Sequence, residues 1–452
     1  MSSFDPTSIS RFRFVRRDFD ADSGCVELAY AFDDGEEMLE TLVIPGAPFA
    51  LDAERRSAVD AALRLLHLIA GVSYFKAAVP PEIVVDDGAL DAESAALLTS
   101  IYENGLGEFA YNNGLALRGK IRFPVDDAAE AASATALGLE QRALVAIGGG
   151  KDSLVSIETL REAGVAQTVA WIGGSQLIAA CAGKTGFPTL NIERRLSPRL
   201  FELNRDGALN GHIPVTAINS AILVLVALLT GHDQVVFSNE RSASYGSLIP
   251  GTGEVNHQWS KGWDFERAFG DYVERRVAAD LRYYSLLRPF SELAVTQRFA
   301  RIGNYDDVFS SCNRNFHILG EKPSSRWCGH CPKCRFVFLA LAPFMPKPRL
   351  LAIFGRNLLD EAAQIAGFDA LLEFRDHKPF ECVGEGVESR AALNALTNRA
   401  EWREDALVRR FADEVLPHLD AGELDLAEQL QPRGEHRVPA PLMERLGEDF
   451  GA

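Results

Sequence analysis

Residues 143–153 read Ala143-Leu144-Val145-Ala146-Ile147-Gly148-Gly149-Gly150-Lys151-Asp152-Ser153. The apolar run predicts a strand buried on both faces. The three glycines predict a turn that tolerates positive φ and lets backbone come close to a ligand. Residues 152–163 then carry an amphipathic helical pattern that stops at Gly164. A helix starting straight after such a turn offers unpaired N–H groups and the positive end of its dipole, which suits phosphate oxygens. Lys151 adds a mobile positive charge and Ser153 a hydroxyl donor. Asp152 supplies either a helix cap or a carboxylate for a magnesium ion bound to the phosphates. The plainer alternative is an ordinary glycine-rich connection. The succession Lys-Asp-Ser at the helix start favours the phosphate site. A GxxxxGK[ST] loop is excluded, because Asp152 follows Lys151; Gly183-Lys184-Thr185 has the right ending, but Ile178 stands where glycine is needed.

Outward from this turn the pattern alternates. Strands are expected at 168–172, 189–192 and 234–237, with a helix to about residue 182 and a long apolar helix over 215–229. Alternating strands and helices imply an α/β fold, a parallel sheet with helices on both faces. Before it, residues 11–16, 25–32 and 38–44 read as a β-meander, 53–70 and 91–104 as helices, 118–124 as a further strand, and 126–139 as a helix or linker. After about residue 336 the pattern is mainly helical. The expected organisation is an amino-terminal α+β domain over 1–138, taken as the substrate-recognition part, a phosphate-binding domain over 139–345, and a helical region over 346–452.

Composition narrows the partners. The chain has 452 residues, 47% hydrophobic and 24% charged, so it can bury a core without disulfide or metal staples. Its formal charge of 46 − 63 = −17 disfavours a broad nucleic-acid face, which needs clustered Lys and Arg, but leaves room for a small anion in a local positive pocket. No apolar signal segment is evident in residues 1–25, and the apolar stretch at 217–229 is shorter than the roughly 18 residues of a spanning helix. The expectation is a soluble cytoplasmic protein with no membrane or nucleic-acid partner; oligomeric state is not legible.

Cys328-Gly329-His330-Cys331-Pro332-Lys333-Cys334 contains two overlapping CxxC units, with Cys312 upstream. Four thiolates at such spacings suit a tetrahedral, structural Zn²⁺. His330 or His317 is an alternative to Cys312 as fourth ligand. A redox pair needs only two of these cysteines, and buried free thiols need no such spacing.

The glycine turn at 147–153 resembles the SGGxDS loop of the N-type ATP pyrophosphatases, with Gly148 in place of the first serine. That resemblance implies an adenine-nucleotide α-hydrolase-like (PP-loop) fold and ATP cleavage to AMP and diphosphate. Other segments join it: residues 71–76 and 102–105, Ser238-Asn239-Glu240-Arg241-Ser242 after an expected strand, 256–263, and 377–384. With the loop and the cysteines they resemble the UDP-N-acetylmuramoyl-L-alanyl-L-glutamate epimerases of peptidoglycan synthesis. The resemblance implies a UDP-sugar dipeptide as substrate, with ATP and Mg²⁺. Adenylation of the α-carboxylate removes the charge that makes the glutamate Cα–H so weak an acid, and a base and an acid then exchange the proton. Glu240, His257, Lys261 and Cys382 are the candidates for that exchange, and Asn239, Arg241 and Trp259 for substrate contact. Each has a plainer reading: an ion pair for Glu240 and Arg241, a loop hydrogen bond for His257, a solvated charge for Lys261, an inert thiol for Cys382. The competing classes are amide or nitrile chemistry like that of 7-cyano-7-deazaguanine synthases, and a nucleotide-binding zinc scaffold without turnover.

Overall fold

The computed structural model describes residues 4–451 except 127, 129–132, 250–252, 317–321 and 376–377. The amino-terminal strands β1 (Arg11–Asp20), β2 (Cys25–Phe32) and β3 (Met38–Val43) form the expected antiparallel meander. Strand β4 (Glu82–Val85) lies parallel to β1. Then come β5 (Glu140–Ala146), β6 (Gln167–Ile172), β7 (Thr189–Arg195) and β8 (His232–Phe237), a small hairpin of β9 (Ser247–Ile249) and β10 (Gly253–Val255), and β11 (Arg282–Ser285).

The meander and the parallel strands belong to one nine-stranded mixed sheet, in the order β11-β8-β5-β6-β7-β3-β2-β1-β4. Strands β11, β8, β5, β6 and β7 run parallel; β3 meets β7 antiparallel, with Leu42 opposite Arg194. The sheet therefore runs unbroken across the position near residue 138 where the sequence pattern changes. Side-chain alternation sorts the sheet into two cores. Leu144, Ala170, Val235 and Tyr283 face the helices Val215–Thr230 and Ala53–Ala70, which pack on each other. Val145, Val169, Val236 and Tyr284 face the helices Lys151–Glu162, Glu292–Arg301 and Pro332–Leu341 and the helical carboxyl-terminal region. Mixed α/β architecture with helices on both faces is thus what the structure has, in a sheet that is parallel only on one side of the β7–β3 seam.

Several expectations change. Residues 118–124 form no strand: Gly119 turns at φ +74°, Pro124 has no N–H, and pairing is confined to a single bridge of Val125 with Leu90. The expected helix or linker at 126–139 lies partly outside the described residues; beyond them, the N–H groups of Leu137 and Leu139 donate to Asp280 at 2.9 and 3.0 Å in an irregular segment. The polar-aromatic segments 71–76 and 102–105 are core, with Tyr74 stacked on Tyr30 at 4.6 Å and the Tyr102 hydroxyl donating to the Leu68 carbonyl at 2.6 Å. Ala53–Phe75 is apolar and long enough to cross a membrane by length and composition, but 83% of its apolar 18-residue window is buried in the fold, as in a core helix.

At the seam the guanidinium of Arg194 on β7 donates to the fully buried Glu40 carboxylate on β3 at 2.7 Å. Removing one partner strands the other charge in a low-dielectric interior, which costs about 3–5 kcal/mol. Arg194→Met should therefore lower the urea midpoint of the whole sheet in one cooperative transition. A transition unchanged from wild type would show the seam to be energetically idle.

Candidate active site

The chain runs β5, β6, β7 outward in one direction and returns with β8 on the other side of β5. Connections diverge at such a switch point and leave a crevice beyond the carboxyl ends of the strands. A cleft of about 350 Å³ lies there. Its wall includes Gly148, Gly150, Asp152 and Ser153 after β5, and Ser238 and Asn239 after β8. Across from them stand Lys261, Lys333 and Cys382. A second cavity of about 690 Å³, between Phe75, Pro81 and Leu117, is bigger, but its titratable lining is only Lys120 and Arg122. Convergent polar groups with shifted pKa values mark the smaller cleft as the site.

The glycine turn is built as the sequence implies. Gly149 sits at φ +78°, and its carbonyl accepts from the Ser310 N–H at 2.9 Å. A β-carbon on Gly150 would stand 2.6 Å from Ser311 Oγ. One glycine thus supplies the conformation and another admits the neighbouring 310–313 loop. The helix begins one residue earlier than expected, with Gly150 as N-cap and Lys151 first. Gly150 has no side chain to satisfy the first-turn N–H groups, which leaves them for a ligand. Asp152 does not cap the helix.

Lys151 is not a mobile charge on the cleft wall. Its side chain is completely buried beneath the turn, and its ammonium donates to Asp152 and Glu292. Burial disfavours the ammonium, yet Asp152 and Glu292 outweigh it and raise its pKa. Lys333 donates to the other Glu292 oxygen at 3.5 Å. Burial alone would raise the Glu292 pKa; Lys151 and Lys333 bring it down instead. Glu240 moves upward, through burial and then the charges of Glu292 and Asp152. The cations that face the cleft are therefore Lys261 and Lys333. Arg288, buried with Glu266 at 2.9 Å, donates to the carbonyls of Glu240 and Lys261 and fixes the loops that carry both.

At the other end of the cleft the Lys261 ammonium donates to Cys382 Sγ at 3.2 Å. Burial pushes this thiol up, but Lys261, the His257 ring and Lys333 together bring it down to about 5. His257 moves the opposite way, to about 9: burial is outweighed by its hydrogen bonds to Cys382 and Glu108. Glu108, on the helix Gly107–Asn112, bonds His257 Nδ1, and the His212 ring lies 4.2 Å from that of His257.

The remaining candidates are placed elsewhere. Asn239 lines the cleft and donates to Ser285 Oγ at 3.0 Å. Arg241 turns to the Pro289 and Gln431 carbonyls, and Trp259 packs edge-on against Phe265 at 5.9 Å. Neither of these two lines the cleft. Glu240 lies under its floor and His257 behind Cys382. Sequence reading missed Glu108, His212, Glu292 and Lys333, and also Thr216 and Asn219, which line the cleft. The polar interruption of the apolar 215–230 helix was the available signal for Asn219.

All seven cysteines are free thiols. The sulfurs of Cys312, Cys328, Cys331 and Cys334 lie within 4.8 Å of one another, with Cys328–Cys334 at 3.7 Å and Cys331–Cys334 at 3.4 Å. Sulfurs around a tetrahedral zinc lie roughly 3.8 Å apart, given Zn–S bonds of about 2.3 Å. Backbone N–H groups of His330, Cys331 and Cys334 point at these sulfurs at 3.4 Å, as they do toward thiolates. The set fits a zinc ion. Cys312 completes it, while His330 turns to Arg356 at 3.2 Å; His317 lies outside the described residues.

An α/β protein with an anion-suited helix terminus and an activated thiol in one cleft is the class this architecture defines. The MurL N-terminal domain family matches residues 3–286, and the MurL C-terminal domain family matches residues 308–425. The chain belongs to the MurL epimerase family. It is 69% identical over 450 residues, 100% of both chains, to the UDP-N-acetyl-alpha-D-muramoyl-L-alanyl-L-glutamate epimerase of Xanthomonas oryzae pv. oryzae. Proteins of the same name from Salinispora tropica and a Micromonospora species are 44% and 41% identical, over 89% and 97% of this chain and 88% and 98% of their own.

The turn makes a graded prediction. Gly149→Ala forces a β-carbon into left-handed backbone and should cost about 1–2 kcal/mol. A β-carbon on Gly148 meets nothing within 4 Å, so Gly148→Ser, which restores the hydroxyl of the SGGxDS loop, should unfold in urea like wild type. Equal destabilisation by both substitutions would contradict this geometry.

Proposed function

We propose that this chain epimerises the terminal L-glutamate of UDP-MurNAc-L-Ala-L-Glu to D-glutamate in peptidoglycan precursor synthesis. The reaction is driven by ATP cleavage to AMP and diphosphate, in a PP-loop type of site in the cytoplasm. The observation that carries the reading is the meeting of two chemistries in one cleft: the glycine turn with its helix terminus, and the Lys261–Cys382 pair. The full-length likeness to epimerases of that name supports the substrate.

The residues divide the work. N–H groups at the start of the Lys151–Glu162 helix hold the triphosphate, with Ser153 beside them. Asp152, half buried on the cleft wall, is the carboxylate that would hold magnesium, which when bound neutralises the leaving diphosphate. Lys333 and Lys261 steady the anionic groups of nucleotide and substrate. The glutamyl α-carboxylate attacks the α-phosphorus, diphosphate leaves, and the resulting acyl-adenylate has a far more acidic Cα–H. Cys382, held as thiolate by Lys261 and His257, takes the α-proton to leave an enolate, which an acid then reprotonates on the opposite face. Water then releases AMP and the epimerised peptide. Glu240, with its raised pKa, is the neutral acid nearest the floor of the site. The four-cysteine set would hold a structural zinc, which when bound would fix the turn that starts the Pro332–Leu341 helix and places Lys333.

Incubation in D₂O with ATP, Mg²⁺ and the UDP-linked dipeptide should put deuterium at the glutamate α-carbon and release AMP and diphosphate in step with the D-isomer. Epimerisation without ATP, or ADP as product, would refute the adenylation route. Cys382→Ser should slow α-proton exchange by about 10²–10⁴-fold, the usual share of a general base, while ATP–diphosphate exchange persists.

Elemental analysis of the purified protein should find zinc near one equivalent. Stripping it with a strong chelator should lower thermal stability and loosen ATP binding through Lys333. Metal-free protein of unchanged stability would remove the zinc from the account.

A further inference from the structure

The proton-transfer unit does not end at the cleft. Behind Cys382 the His257 ring is anchored by Glu108, a residue 149 positions earlier in the chain, on the helix Gly107–Asn112. Glu108 is not among the residues that line the cleft. Its second oxygen accepts from Asn112 at 3.3 Å, which fixes the carboxylate on its own helix. His212 packs against the same pair, its Nδ1 3.9 Å from Glu108. The three side chains are half buried, so their electrostatic contacts are screened less than at the surface.

We propose that Glu108 is a positioning residue for proton transfer, holding His257 as an imidazolium whose ring faces Cys382 and keeps that sulfur ionised. The proposal rests on the epimerase reading for its chemical purpose, but its geometry is independent of it. A carboxylate behind a histidine fixes both the ring's orientation and its charged form. His212 stays neutral: burial and then the His257 charge bring it down to about 4. One positive ring is thereby left beside the thiolate. The arrangement makes the amino-terminal part of the chain a contributor to the reaction centre. The other charged and titratable groups around the relay are Lys261, Lys333, Glu381, Glu240 and Asp152.

The test reads Cys382 directly. Alkylation by iodoacetamide is followed against pH in the full-length protein, with the Cys382 peptide resolved by mass spectrometry from those of the other cysteines. With Glu108→Gln, the midpoint of Cys382 alkylation should rise by roughly one pH unit, because the imidazolium loses its counter-charge. Turnover number for deuterium incorporation should fall roughly tenfold with KM for the dipeptide unchanged. Glu108→Asp should restore much of both. A Cys382 midpoint identical to wild type in folded Glu108→Gln overturns the proposal. If that variant fails to fold, Glu108→Ala carries the test: a raised midpoint supports the relay and a wild-type midpoint overturns it. A shifted midpoint in a chain with no epimerase activity would sustain the relay and refute the activity instead.

Discussion

A buried ammonium organises this molecule. Lys151 begins a helix immediately after a glycine turn, yet its charge points down into the fold. A lone ammonium there would cost several kcal/mol. Asp152 and Glu292 make it tolerable, and Glu292 in turn draws in Lys333. These side chains come from the turn after β5, from the helix Glu292–Arg301 and from the helix that follows the cysteine knuckle. Neutralising one charge thus ties three separate segments to the floor of one cleft. The helix terminus above is left open to an outside anion, since its own lysine is already engaged below.

The same economy of charge appears at the far end. Cys382 and Lys261 meet on one wall of the cleft, and the loop that carries Lys261 is fixed through its carbonyl by Arg288, itself paired with Glu266. The cysteine knuckle and the cleft are therefore connected. Cys331 caps the helix Pro332–Leu341, two residues later Lys333 enters the cleft, and Cys312 sits next to Asn313, which bonds Glu381 beside Cys382. A structural metal at this knuckle would act on chemistry only through such placement.

Much of the fold was legible because its signals are local. The meander, the strand–turn–helix at 143–163 and the apolar helix at 215–230 follow from residue alternation, glycine placement and helical period, which need no distant partner. Strand β11 and the loss of the expected strand at 118–124 were not legible, since a short strand exists only where a neighbour offers it hydrogen bonds. The continuity of the sheet across β3 and β7 was hidden for the same reason: 150 to 154 residues separate the paired positions, and no local pattern reports on them.

The sequence by itself determined that a glycine turn opens a helix after a buried strand, and that four cysteines at metal-ligand spacing lie downstream. It also named Glu240, His257, Lys261 and Cys382 as reactive types. Only tertiary structure decided what each of them does with its charge. Lys151 became a buried counter-ion because Glu292 reaches it, Lys333 took its place on the cleft wall, and Glu108 was brought to His257 from the amino-terminal part. The reason is physical: hydrogen-bonded periodicity is written over a few neighbouring residues, whereas an ionisable group's state depends on burial and on charges within a few ångströms, which chain folding alone assembles.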